Sequence, residues 1–302
     1  MEEKKIYDMT DGTVESRYVQ ELKDRSYVNC LTTAYHNVVD NFKSLFDQVW
    51  KLALVYAVIF GITMAVRYTT LSVDKPFDML LNLLTSAATV VAGIVYVGKI
   101  FEFLNGHDFK YNSKKILTIG VVCYAIAIAF FMAVMIGAIF LALGTRNPMA
   151  IYVAIWGAVL VWVVFLIVWC TPLCYSGTKF MMDDNAHLIH VLGKDWKKGF
   201  KHFGFIFATL FLESIVIGVI NLLIFSPLIV IAVACLESYH GANMGDPMTM
   251  PSSLFLPICL LAIISMFVNC FLIIWQAFTY YYIYGTIETR DYETNEAESL
   301  VH

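Results

Sequence analysis

Six stretches of this chain stay apolar for about as long as a bilayer core is thick. They lie at about 50–71, 77–98, 116–143, 149–175, from about 205 onward, and at about 254–284. A helix that crosses a membrane needs roughly 20 such residues. In hydrocarbon every backbone N–H and C=O must find its partner inside the protein, and a helix does this within one segment. The expected fold class is therefore all-α: a polytopic membrane protein with six transmembrane helices. Composition supports this. The chain is 59% hydrophobic and 15% charged, against roughly 45–50% and about 25% in soluble domains. Its 302 residues thus read as one membrane unit and not as two soluble domains.

Three regions are expected. Residues 1–30 form a polar leader, 31–285 the membrane domain, and 286–302 an acidic tail. The leader lacks the apolar core of a cleaved signal, so the first span is expected to act as an uncleaved insertion signal. The tail carries Glu288, Asp291, Glu293, Glu296 and Glu298, and is expected to be disordered or loosely associated with a basic surface.

Lysines and arginines set the orientation. Arg67, Lys75 and Arg146 fall on one side of the six spans, and every other lysine and arginine falls on the opposite side. The positive-inside rule places that richer side, with both termini, in the cytoplasm. The expected location is the cytoplasmic (inner) membrane.

Two segments differ from the spans. In 31–50, apolar residues recur at helical spacing while His36, Asn37, Asp40, Lys43 and Asp47 fill the other face. This is the pattern of an amphipathic helix, lying on the membrane or packed on other parts of the chain. In 193–204, Trp196, Phe200 and Phe203 alternate with Lys194, Lys197, Lys198, Lys201 and His202. That helix is expected to run unbroken into the fifth span. The fifth span is overlong, and Ser226-Pro227 interrupts it. A crossing to about Phe225 and a kinked or re-entrant piece over 228–235 are expected, with one tilted helix as the alternative. In the third span Ala125, Ala129, Ala133 and Gly137 form a ridge of small residues. Such a ridge lets helices approach closely and predicts a central position.

Asn41-Phe42-Lys43, Asp108-Phe109-Lys110 and Asp195-Trp196-Lys197 each precede an odd-numbered span. An aromatic ring seats in the interface and a lysine meets anionic headgroups. Read as a repeat, they divide the bundle into three tandem helical hairpins. The segments DNFKSLF at 40–46 and GKDWKKGFKHFG at 193–204 carry a resemblance to the six-helix membrane-anchor domain of bacterial glycerophosphodiester phosphodiesterases and its stand-alone relatives. That resemblance covers about 31–285 and implies a fold. It implies no catalysis, because the chain has no room for the phosphodiesterase domain.

Candidate lipid- or anion-binding residues are Lys43, Lys110, Lys194, Trp196, Lys197, Lys198 and Lys201, with Arg67 near the other surface. Arg67 either extends toward water or faces an anion-binding cavity. Glu213 lies deep in the fifth span, where a carboxyl is costly and a functional candidate by default. Asn269 is its expected partner, Gln276 sits nearer the lysine-rich side, and Asn82 and Asn221 are expected at the depth of Arg67. The reading is either a proton or substrate site, or a polar clamp between helices.

Other signals are weak. His187 and His190 share a helical face without a third ligand, His240 and nearby methionines lie in an outer loop, and the seven cysteines fall mostly in apolar runs. No metal or cofactor is expected, no motif for nucleotide binding or hydrolysis occurs, and the lysines at span ends give no case for nucleic acid. The leading expectation is a non-enzymatic envelope scaffold or regulator that engages anionic lipid, with a protein partner or a second copy. A transporter or lipid-handling channel built on Glu213 is the alternative, and a membrane enzyme ranks third.

Overall fold

The computed structural model describes residues 23–69, 76–145, 148–183, 186–244 and 254–301. Among them the regular structure is helical, and six helices are long and apolar enough to cross a membrane. The chain is a multi-pass membrane protein. Its crossing helices are α2 (Phe42–Thr69), α3 (Pro76–Asn105), α4 (Phe109–Thr145), α5 (Pro148–Met182), α8 (Phe203–Asn243) and α9 (Phe255–Val301). A short helix, α1 (Tyr27–Asp40), precedes them. Between α5 and α8 come a single turn α6 (Leu188–His190), a π-helical segment (Val191–Asp195) and α7 (Trp196–Lys201). The leader up to residue 22, Lys75, Arg146, Met248 and Met250 lie outside the described residues.

Consecutive helices pack as pairs, α2 with α3, α4 with α5, and α8 with α9. The most extensive contact joins the first crossing helix to the last, α2 to α9. Its basis is a row of residues four apart on α2: Leu45, Val49, Ala53, Ala57, Gly61 and Ala65, all buried. On α9 the matching row is Ile258, Ala262, Met266, Cys270 and Ile274, also buried. Small side chains let the backbones close in. A Cβ on Gly61 would lie 2.8 Å from the carbonyl oxygen of Cys259.

This corrects the expectation for the third span. Ala125, Ala129, Ala133 and Gly137 are all exposed, and the apolar window of α4 contains no buried residue. α4 instead meets α5 through its large side chains. Phe130 stacks on Phe165 at 3.8 Å, and Trp162 Nε1 donates to the Ala127 carbonyl at 3.2 Å. Large rings bury more area than a row of alanines, so the aromatic face won the contact.

The two presumed amphipathic segments are each divided by one residue. α1 ends at Asn41 (φ −101°, ψ 13°) and α7 ends at His202 (φ −103°, ψ 21°). Each bends the chain just before a crossing helix starts, so neither the segment 31–50 nor the run from 193 into the fifth span is a single helix. α1 packs its Cys30, Ala34 and Val38 into the main core beside Tyr281 and Tyr282 of α9. Asn37 Nδ2 donates to the Tyr282 hydroxyl at 2.6 Å. Val28, Tyr35 and Val39 remain exposed on its other side.

α8 passes through Pro227 without ending. Proline cannot donate to the Leu223 carbonyl four residues back. The Ser226 hydroxyl donates to that carbonyl at 2.9 Å instead, and Ser265 Oγ of α9 donates to the neighbouring Ile224 carbonyl at 3.0 Å. The expected re-entrant piece at 228–235 is therefore continuous helix.

The tail is helical where it is described. α9 has 47 residues and reaches Val301. At about 1.5 Å per residue it is roughly 70 Å long, twice a bilayer core and more. Its last turns project beyond the bundle at the lysine-rich end, where specific ion pairs hold it.

Candidate functional site at the lysine-rich end

α7 is short but firmly seated. A Cβ on Gly199 would come within 2.8 Å of the Pro172 carbonyl oxygen of α5, so only glycine lets the two backbones meet there. Trp196 Nε1 donates to the Trp169 carbonyl at 3.2 Å, and the two indoles lie 5.3 Å apart. From Trp196 the rings continue through Phe200, Phe203, Phe207 and Phe211 at 5.3–5.9 Å spacing. Phe200, Phe207 and Phe211 are exposed. The Phe42–Phe46 pair at the start of α2 has the same four-residue spacing, at 5.8 Å.

Beneath α7 lies a network of charges that fixes α9. Lys198 Nζ pairs with Glu288 Oε2 at 2.9 Å and with Asp291 Oδ2 at 3.0 Å. Lys179 Nζ on α5 pairs with Asp195 at 3.0 Å and with Glu288 at 3.4 Å. His202 Nε2 lies 3.0 Å from Asp291 Oδ1, and the Tyr175 hydroxyl donates to Glu288. On the far side of α9, Arg290 Nε pairs with Asp24 at 2.7 Å and its guanidinium donates to the Arg25 carbonyl at 3.1 Å. Glu288 and Asp291 of the tail thus meet cations far away in sequence, which ties this stretch of α9 to α5 and α7.

The candidate lysines divide accordingly. Lys198 is a structural tie to α9. Lys43, Lys110, Lys194, Lys197 and Lys201 are exposed, and none is in an ion pair among the described residues. Lys197 and Lys201 lie one turn apart on the same face of α7, next to the exposed Phe200. Lys110 opens α4 after a tight hairpin, where Gly106 adopts φ 75° and its N–H bonds to the Glu102 carbonyl at 2.9 Å. Glu102 Oε2 then accepts the Phe109 N–H at 3.0 Å and caps α4. Lys115 turns inward, donating to the Phe180 and Asp183 carbonyls at 2.9 and 3.1 Å. Each of the three acid-or-amide, aromatic, lysine triplets puts its aromatic at the first residue of a helix, α2, α4 and α7.

Bordering this network, a cleft of about 470 Å³ opens between α5, the 186–195 segment and α9. Lys179, Lys194, Lys198, His187 and His190 line it together with Asp183, Asp195 and Asp291. The imidazoles of His187 and His190 are 6.1 Å apart. Among the described residues no group of three or more histidine, cysteine or acidic side chains is arranged to hold a metal ion.

The intramembrane candidates are not brought together. Glu213 is 1% exposed. Its side-chain partner is Thr279, and its Oε1 has no hydrogen bond. Cys174 of α5 and Tyr280 of α9 are its other polar neighbours. Asn269 instead directs its amide at Met266 Sδ, 3.8 Å away. It is ten residues from Thr279, about 15 Å along the helix. Gln276 is half-buried. Near the other end Arg67 is exposed, Asn82 Nδ2 donates to the Asp78 carbonyl at 3.0 Å, and Asn221 is half-buried with its Oδ1 enclosed and unbonded. Sequence reading missed Lys179, Tyr175, Glu288, Asp291 and Thr279. The readable signal was an acidic pair three residues apart, Glu288 and Asp291, and Lys198 and His202 four residues apart. No protein-family model, curated protein or solved structure matches this chain.

Proposed function

We propose that this protein is a non-enzymatic scaffold or regulator of the inner membrane, held against anionic lipid by a collar of lysines. The observation that carries the reading is on α7: Lys197 and Lys201 stand exposed one turn apart on the same face, next to exposed Phe200, on a helix locked to α5 through Gly199. A rigid helix that presents a ring and two ammonium groups at the end of a membrane bundle loses little entropy on meeting headgroups. Lys43 and Lys110 add charge at the same end. Each lysine near an anionic surface contributes about 1 kcal/mol. The lysine-rich end is the cytoplasmic one by the positive-inside rule. The resemblance to phosphodiesterase anchor domains agrees with an anchoring or scaffolding role, with a protein partner or a second copy as the cargo.

Glu213 belongs to a different part of this reading. It is almost fully buried and packed by α5, α8 and α9 residues, and it does not line the cleft. We read it as a polar clamp between helices, and transport through it would need a cavity that reaches its carboxyl.

The test is lipid selectivity of the intact protein in bilayers, measured by electron spin resonance with spin-labelled phosphatidylglycerol and phosphatidylcholine. The wild-type protein should hold the anionic lipid preferentially. Replacing Lys43, Lys110, Lys197 and Lys201 by glutamine should bring the two lipids close to parity.

A further inference from the structure

We propose that the cleft between α5, the 186–195 segment and α9 is a phosphate-binding site, taking the phosphate of a lipid headgroup or of a soluble phosphate ester. The inference goes beyond the collar and uses none of the collar's lysines.

The argument starts from hydrogen-bond donors. A lysine ammonium has three N–H donors, and a neutral imidazole has one. Lys179 engages Asp195 and Glu288, and Lys198 engages Glu288 and Asp291, which leaves each one donor. Lys194 lines the cleft with no ion pair among the described residues, so all three of its donors remain. His187 and His190 are exposed, line the same cleft and lie side by side. Donors from five side chains therefore surround one space, and the oxygens of a phosphate group can accept from all of them. Two of the three lining carboxylates, Asp195 and Asp291, are already matched by Lys179 and Lys198. They hold those lysines in place.

A second observation is independent of charge. Lys194 sits in a π-helical turn, Val191–Asp195. Such turns are rare and are frequently found at functional sites. Here the π turn puts Lys194 in the cleft while Asp195, the next residue, pairs with Lys179. The volume of about 470 Å³ falls within the roughly 300–1,000 Å³ of ligand sites. It exceeds what a bare phosphate needs, and so has room for the group esterified to it.

The experiment uses the full chain in nanodiscs. In one arm the discs contain only phosphatidylcholine, and inorganic phosphate is titrated in by calorimetry. In the other, phosphate-free buffer is used and the discs carry phosphatidic acid, whose retention is read by native mass spectrometry. The variants are Lys194→Gln alone, and Lys194→Gln with His187→Asn and His190→Asn. Lys197→Gln with Lys201→Gln is the control in the calorimetric arm, where no anionic lipid is present, and the shared background of every chain in the lipid arm. All changed side chains are exposed, and matching thermal midpoints show that folding is kept. Losing charged hydrogen bonds should weaken binding about ten-fold for Lys194→Gln and further for the triple variant, with the calorimetric control within about two-fold of wild type. Binding in the calorimetric arm that Lys194→Gln weakens assigns the site to soluble phosphate, and binding that Lys194→Gln weakens only in the lipid arm assigns it to a headgroup. Absence of binding in both arms, binding unchanged in the triple variant, or binding lost in the control alone would overturn the proposal.

Discussion

Lys198 of α7 and Glu288 of α9 meet at 2.9 Å, and this pair ties the basic helix before α8 to the projecting end of the last helix. Lys179 and the Tyr175 hydroxyl converge on the same carboxylate, so Glu288 holds three elements. Glu288→Gln should cost about 1–3 kcal/mol, since the pair is partly screened from water but not fully buried. The end of α9 should then loosen first. Limited proteolysis within 286–301 would be faster in the variant, while cleavage at the opposite end of the bundle stays unchanged.

Gly199 makes a prediction of sign. In an ordinary exposed helix Gly→Ala stabilises by up to about 1 kcal/mol. At Gly199 the added Cβ meets the Pro172 backbone at 2.8 Å, so Gly199→Ala should destabilise by about 1–3 kcal/mol. Gly204, with nothing within 4 Å of an added Cβ, should tolerate alanine or gain slightly. Thermal unfolding of the two variants in detergent should therefore move in opposite directions or differ clearly in size.

Cys30 reports on the seating of α1. Its thiol is fully buried, faces Thr286 of α9 at 3.6 Å, and is pushed up in pKa by burial. Both effects slow alkylation, since the exposed thiolate is the reactive form. Arg290→Ala removes the tie to Asp24 and the Arg25 carbonyl, and should raise the rate of maleimide labelling at Cys30 several-fold. Mass spectrometry of the labelled peptide measures this.

Glu213 has Thr279, Cys174 and Tyr280 as its polar neighbours and no cation among them. A buried charge without a partner costs several kcal/mol, and a neutral polar group of the same shape costs much less. Glu213→Gln should leave stability within about 1 kcal/mol of wild type, and Glu213→Ala should lose about 2–4 kcal/mol through the cavity it leaves. Denaturation in mixed micelles distinguishes the two.

These residues also show how far the sequence could be read. The six spans were legible because bilayer thickness sets a length that composition alone satisfies. Helix rotation was not. Ala125, Ala129, Ala133 and Gly137 have the same spacing as Ala53, Ala57, Gly61 and Ala65, but only the α2 row faces a partner. Spacing states which residues share a face and is silent on what lies opposite. The depth of Glu213 was readable for the same reason as the spans, while its partner depended on rotation and proved to be Thr279 and not Asn269. The bends at Asn41 and His202 each occupy one residue and leave the hydrophobic pattern unbroken on both sides. Ser226-Pro227 looked like an interruption because proline removes a donor, and the serine beside it supplies another. The acidic tail read as disordered or loosely associated with a basic surface, and the particular partners of Glu288 and Asp291, which are Lys198, Lys179 and His202, are connected to it by no local pattern. Lys198 looked like its neighbours Lys197 and Lys201, and differs only because it faces inward.

The collar is the central claim, and lipid selectivity tests it most directly. With Lys43, Lys110, Lys197 and Lys201 changed together to glutamine, preference for spin-labelled phosphatidylglycerol over phosphatidylcholine should fall by about ten-fold or more, given about 1 kcal/mol per lysine. The wild-type preference should also shrink as salt is raised. A wild-type protein without preference for the anionic lipid, or a four-lysine variant that keeps it in full, would contradict the account.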